Sequence, residues 1–175
     1  MMKGLIVSDT HGWTREVQAV KDQYKGTVDF MIHCGDSELK PDQKEMEGFI
    51  AVEGNCDLPG AYPNEAVKVI GGTTFLVAHG HLLGVRQSPA RLCYRAQEAG
   101  AQIACFGHTH FAGTFQQQGM IVINPGSLRL PRNYREGTYV LLDLDPEKNH
   151  VQVSYFTLDG TLVDEFTKTF SLSRN

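Results

Sequence analysis

Five short polar motifs stand at the ends of apolar runs: Asp9-Thr10-His11, Gly35-Asp36, Gly54-Asn55-Cys56-Asp57, His79-Gly80-His81 and Gly107-His108-Thr109-His110. Carboxylates, an amide oxygen and imidazoles form a donor set that requires no thiolate. Such a set suits Mn2+, Fe2+, Zn2+, Co2+ or Ni2+ better than a soft ion. Side chains two residues apart on an extended segment share a side. Asp9 with His11, and His108 with His110, can therefore each aim two donors at one place. Six or more donors exceed what one tetrahedral ion uses. Two ions roughly 3.5–4 Å apart, sharing a carboxylate, would use them all. Glycines 12, 35, 54, 80 and 107 allow tight turns and close backbone approach beside these donors.

Taken singly, an aspartate or histidine at a strand end is ordinarily a cap or turn residue, so the convergence of the set carries the inference. His81 either lines a cleft or supports a ligand from behind. His33 falls inside an apolar run and reads as a satisfied core or supporting residue. His150 reads as surface and Asp57 as a turn residue. Cys93 and Cys105 read as buried thiols rather than disulfides, because no C-x-x-C spacing is present and a reducing compartment is expected, while Cys34 lies inside a motif. Cys56 reads as a pocket-lining thiol rather than a nucleophile. Arg129, Arg132 and Arg135 follow Ser127 in a loop where arginines could bind phosphate, although a solvated loop is the reading we prefer. Arg91 and Arg95 read as a solvated helix face. Asn124 and Ser127 either steady the motif loops or form a plain Asn-Pro turn.

The elements that must position these residues are legible as alternation. Leu5 to Val7 is a buried strand running into the first motif. Thr14 to Tyr24 has helical spacing at Val17, Val20 and Tyr24, with Thr14 as cap. Asp29 to His33 and Phe49 to Val52 are further strands, separated by a short helical stretch from Asp42 to Glu47. This strand–helix alternation predicts a parallel sheet with crossover connections. Ala66 to Ile70 and Thr73 to Ala78 flank Gly71-Gly72, a two-residue hairpin turn. Ser88 caps a helix with Pro89 at its first position, ending at Glu98 before Gly100. Ile103 to Phe106 is a strand, and 113–117 with 120–123 is a hairpin. Thr138 to Leu144, Val151 to Leu158 and Leu162 to Phe170 read as antiparallel strands. All of this fits one α/β domain over residues 1–175: two sheets face to face with helices outside.

At 175 residues the chain can bury a sizeable core. With 41% hydrophobic and 21% charged residues it is neither disordered nor fibrous. A net charge of −4 gives no global attraction to nucleic acid or anionic membrane. No apolar run approaches the roughly 18 residues of a membrane span, and the start lacks a signal-peptide core. We expect a cytoplasmic protein.

Together, in this order and at these spacings, the five motifs resemble the calcineurin-like metallophosphoesterases. The short length and Asn124-Pro125-Gly126-Ser127 resemble the small bacterial and archaeal phosphodiesterase branch. The resemblance runs from about Leu5 to Ser127 and continues more weakly beyond. It implies a two-sheet β-sandwich flanked by helices, in four αββα layers. It implies two divalent transition-metal ions, Mn2+ foremost, with Ni2+, Zn2+, Fe2+ or Co2+ as alternatives. One ion would take Asp9, His11 and His110, the other Asn55, His79 and His108, with Asp36 bridging. It implies hydrolysis of phosphoesters, diesters ahead of monoesters, by hydroxide held on the metals. Asp36, Asn55 and His81 would be the catalytic set. The chain departs from many family members in carrying Cys56 where a histidine follows the motif asparagine. The leaving group then needs a lower pKa, or a proton from His81. The implied partner is a small phosphoester, with no membrane or nucleic acid indicated, and edge strands that could pair chains into a homo-oligomer. The rival is a non-catalytic metal-binding scaffold on the same fold, since fold alone does not settle function.

Overall fold

The computed structural model describes residues 1–172. Its strands are β1 (Met2–Val7), β2 (Phe30–His33), β3 (Phe49–Ala51), β4 (Glu65–Ile70), β5 (Thr73–Ala78), β6 (Ile103–Cys105), β7 (Gly113–Gln117), β8 (Met120–Asn124), β9 (Thr138–Asp145), β10 (His150–Thr157) and β11 (Lys168–Ser171). They form a six-stranded sheet in the order β11-β10-β9-β1-β2-β3 and a five-stranded sheet in the order β4-β5-β6-β8-β7. Helix α1 (Arg15–Gln23) follows β1, and α2 (Ala90–Glu98) follows β5.

Strand side chains alternate between two apolar environments. Ile6, Ile32, Phe75, Val77, Ile103, Ile121 and Val140 meet between the sheets. Leu5 and Val7 turn the other way and pack with Val17 and Val20 of α1. Leu76, Ala104 and Val122 pack with Leu92 and Ala96 of α2 on the far side. Each central strand is thus apolar on both faces, as a strand covered on both sides must be. The layers are α, β, β, α. No helix among the described residues is long and apolar enough to cross a membrane.

Strands β1, β2 and β3 run parallel, as do β5, β6 and β8. Their carboxyl ends deliver all five motifs, and backbone hydrogen bonds join those ends: Asp9 N to Gly35 O at 3.0 Å and Gly107 N to His79 O at 3.1 Å. Ligands of open α/β sheets bind outside such ends.

Three elements differ from expectation. The stretch from Asp42 to Glu47 holds only one 3-10 turn, Lys44–Met46. Thr14 stands at the start of α1, but its side chain makes no capping bond. Leu162 makes a single bridge to Phe156, and pairing resumes only at β11, so 162–170 is not one strand. Backbone bonds from Phe166 N to Val163 O and Thr167 N to Asp164 O turn the chain between them. Elsewhere local signals hold. Gly71 and Gly72 both have positive φ, as a type I′ hairpin turn requires. Ser88 Oγ accepts a hydrogen bond from Ala90 N at 3.1 Å, a capping contact.

Candidate metal centre

The backbone at the strand ends is left-handed, not extended. Asp9, His11, Asp36, Glu38, His108 and His110 have φ of 51°, 43°, 53°, 55°, 64° and 61°. They are six of the eight non-glycine residues with positive φ among those described. Such a conformation costs about 1–2 kcal/mol per residue and concentrates where function demands it. It is held by lacing between loops: His11 N donates to Asp36 O at 3.0 Å, and Gly12 N to Ser37 O at 2.8 Å. The two donors of Asp9-Thr10-His11 converge through paired left-handed residues instead of strand alternation.

Asp9 is fully buried. Its Oδ1 lies 3.1 Å from His110 Nε2, 3.2 Å from His79 Nε2 and 3.9 Å from His11 Nε2. Its Oδ2 accepts Ser8 Oγ at 2.5 Å and His108 N at 3.1 Å. His79 Nε2 is also 3.4 Å from Asp36 Oδ2. Asp36 Oδ1 accepts Cys56 N at 2.7 Å. The rings of His81 and His108 lie 5.1 and 5.0 Å from that of His79, centroid to centroid, and Nδ1 of His79 and of His81 are 3.1 Å apart. His110 lies with Asp9 and His11, whereas His108 lies with His79 and His81. The two histidines of the last motif therefore face different groups rather than one place. Asn55 is exposed, and its amide donates to Cys56 Sγ at 3.4 Å.

The rings are oriented from behind. Nδ1 of His110 donates to Leu130 O at 2.8 Å, and Nδ1 of His11 bonds Glu38 Oε1 at 2.7 Å. A carbonyl and a carboxylate accept only, so both protons sit on Nδ1 and both Nε2 atoms face inward. Those two Nε2 atoms are 3.4 Å apart. Two lone pairs at that distance need a proton or a cation between them. The donor atoms of Asp9, His11 and His110 all lie within 4.8 Å of one another, as do those of Asp9, Asp36 and His79. The residues fit a divalent ion.

Charge is arranged to match. Burial pushes the Asp9 carboxyl up, but hydrogen bonds from His110 and His79 outweigh it and hold the group well below the usual carboxylate range. The bond to Asp9 raises His110. Burial, reinforced by His79, lowers His108 to about 4 and lowers His81. Burial and the Asp36 charge push the Cys56 thiol up to about 11. A thiol held protonated at neutral pH is a weak nucleophile.

Several supporting residues are not the ones their type suggests. Asp57 is no simple turn residue. Its Oδ2 accepts the N–H groups of Asp36 and Gly54 at 2.8 and 2.7 Å, and its Oδ1 accepts Glu38 N at 2.7 Å and Ser37 Oγ at 3.2 Å. Ser127 Oγ donates to Asp9 O at 2.7 Å. Asn124 Nδ2 donates to Gly107 O and Thr109 Oγ1 at 3.2 and 2.9 Å, so both residues steady motif loops. His33 is satisfied in the core, accepting Gly35 N at 3.2 Å with Thr10 Oγ1 at 2.9 Å. Arg129 is exposed, as a solvated loop residue would be, but its side chain is anchored: it donates to the His11 carbonyl and lies 5.8 Å from the Trp13 ring centre. Arg135 is solvated, beside Glu136. Arg95 forks onto Glu65 from Nε at 3.0 and 3.1 Å, tying α2 to β4, so it is not a free helix face. His150 is on the surface, and all four cysteines are free. A 730 Å³ cleft beside α1, lined by Lys21, Lys25 and Lys44, lies apart from the motif loops.

The family model described as the calcineurin-like phosphoesterase superfamily domain matches residues 2–147. The chain belongs to this superfamily. Among calcineurin-like phosphoesterases, it is 40% identical to the probable metallophosphoesterase YsnB of Bacillus subtilis, over 98% of this chain and 100% of that one. It is 27% identical to the phosphodiesterase YfcE of Escherichia coli K12, over 83% of this chain and 89% of that one. A crystal structure of a predicted phosphoesterase from Streptococcus pneumoniae superposes with a TM-score of 0.92 at 35% identity, covering 97% of each chain. The same fold recurs in vacuolar protein sorting 29 of Cryptosporidium parvum, with a TM-score of 0.77 at 18% identity over 99% and 98% of the two chains.

Proposed function

We propose that this protein hydrolyses phosphodiesters with two divalent transition-metal ions, Mn2+ foremost. The observation that carries the reading is the buried Asp9 carboxylate met by three imidazole nitrogens at 3.1–3.9 Å, with Asp36 alongside. In this reading Asp9, His11 and His110 hold one ion, Asn55, His79 and His108 the other, and Asp36 stands between them. Ions held by these residues would supply Lewis acidity, lowering the pKa of a bound water and offsetting charge on the phosphate oxygens. A bond forms from water oxygen to phosphorus, the bond to one ester oxygen breaks, and a proton passes to that oxygen. His81 is the chain's own group for the transfer. Burial keeps it neutral at pH 7, so it can accept a proton and return it. Cys56, with its raised pKa, is a poor donor and favours leaving groups that need little protonation.

The diester preference draws support from the name of the E. coli relative. A cytoplasmic setting accords with four free cysteines. The non-catalytic scaffold reading is disfavoured by the presence of every donor. The experiment is to strip the protein with chelator, then assay bis(p-nitrophenyl) phosphate beside p-nitrophenyl phosphate with Mn2+, Ni2+, Zn2+ and Mg2+. Diester turnover restored only by a transition metal is the expected result. No turnover of either ester by folded protein that binds two ions would move the assignment to a scaffold.

A further inference from the structure

Nine large apolar side chains are exposed among the described residues, and four of them ring the metal centre. Leu58 follows Asp57, Leu82 follows His81, and Phe111 follows His110, with exposures of 69%, 56% and 53%. Leu130, 49% exposed, gives its carbonyl to His110 Nδ1. Single exposed apolar residues need no explanation. Here the loops after β3, β5 and β6 each leave an apolar side chain in solvent beside a motif residue, where a polar one would have been free of cost, whereas Leu39 in the loop after β2 is buried. One side of this rim is built more firmly than the other. Residues 130–133 are laced to 110–112: Arg132 N donates to His110 O at 3.1 Å, Ala112 N to Asn133 Oδ1 at 2.8 Å, and Asn133 Nδ2 to Ala112 O at 2.7 Å. Arg129 continues that wall to Trp13 through its bond to His11 O. An aromatic ring, an aliphatic side chain and a guanidinium thus stand beside His11 and His110.

A phosphodiester at the centre has two ester arms, and both must leave across this rim. We infer that the Phe111–Leu130–Trp13 wall is a subsite for a planar apolar arm, aryl or nucleobase, of the phosphodiester substrate, with Arg129 facing its negative charge. The inference rests on the phosphodiester reading and adds a substrate class to it. Stacking and apolar contact with aromatic and aliphatic side chains recognise such an arm whatever its pattern of polar atoms.

The test compares two substrates that share a leaving group: bis(p-nitrophenyl) phosphate and methyl p-nitrophenyl phosphate. In Phe111→Ser and Leu130→Ser proteins, the ratio of their kcat/KM values should fall about tenfold toward the methyl ester, mainly through KM. Val69→Ser, on the free edge of β4, should leave the ratio as it is. Trp13 is the single tryptophan, so its fluorescence reads occupancy directly. Diphenyl phosphate should change the emission where dimethyl phosphate at equal concentration does not, and both substitutions should weaken that response. Hydrolysis of both substrates at a ratio the substitutions do not move would overturn the subsite and leave the phosphodiesterase reading standing. If fluorescence also fails to respond, no planar arm sits against this wall and the subsite is overturned. Turnover of neither substrate by the metal-loaded native protein would sink both.

Discussion

The residues that bind nothing themselves decide whether this centre exists. Asp57 gathers three backbone N–H groups and a hydroxyl from the loops after β2 and β3. Removing it leaves buried donors unpaired, at about 1–3 kcal/mol each before relaxation. Asp57→Ala should lower unfolding free energy by about 3 kcal/mol in urea titrations, and Asp57→Asn by less; equal stability of native and alanine proteins would contradict this role. Glu38 acts through one atom. Its carboxylate fixes the His11 tautomer at 2.7 Å, and its own strained φ is held by Asp57. Orienting partners of this kind are worth about 10–100-fold in metal affinity. Glu38→Gln, which leaves the protein folded, should weaken Mn2+ binding by about tenfold in calorimetry. Unchanged affinity would show that His11 needs no orientation. The donors themselves were readable as residue types, but these supports were not. Asp57 and Glu38 look like ordinary polar loop residues, because an acceptor's value depends on which backbone donors the fold brings to it.

At the scale of elements, the strands were legible because buried apolar runs end abruptly in polar motifs. The last strand was not, since 162–170 alternates in type while Val163, Asp164 and Thr167 close turns. Local pattern cannot tell a strand from a turn with an inward side chain. The strand-end geometry departs from the two-residue pattern for a related reason. Two-residue spacing predicts convergence on extended chain, whereas tertiary lacing holds Asp9 and His11 left-handed. The approach of the loop after β3 to the loop after β2 imposes a glycine. A Cβ at Gly54 would stand 2.0 Å from Asp36 Oδ1 and 2.5 Å from Asp36 N. Gly54→Ala must therefore push the Asp36 carboxylate from its place. Overpacking of this kind costs about 1–3 kcal/mol. We expect loss of metal affinity larger than the loss of stability. Calorimetric Mn2+ binding at native strength in a stable Gly54→Ala protein would refute the close approach.

Over the whole molecule, a histidine buried between the first two strand ends couples folding to pH. His33 is fully buried, and desolvation lowers its pKa to about 4, more than the nearby charges of Asp57 and Asp9 raise it. Its Nδ1 accepts Gly35 N, so the native ring is neutral, with its proton on the nitrogen facing Thr10. Between pH 6.5 and 4 the unfolded chain binds a proton that the folded chain refuses. The His33 contribution to stability therefore rises with pH through this window and is flat above it. The depressed Asp9 carboxyl acts in the same direction only below its ordinary pKa of 3.8. His108 shares the His33 window, His81 is lowered in the same direction, and the raised His110 acts above 6.5, where its contribution falls as pH rises, so the native curve alone cannot isolate one group. A difference can. For chelated protein, the stability advantage of native over His33→Gln should shrink by about 2 kcal/mol between pH 7.5 and pH 5.0. Urea midpoints at the two pH values measure it. A constant difference would mean that His33 titrates alike in both states and that its burial carries no protonation cost.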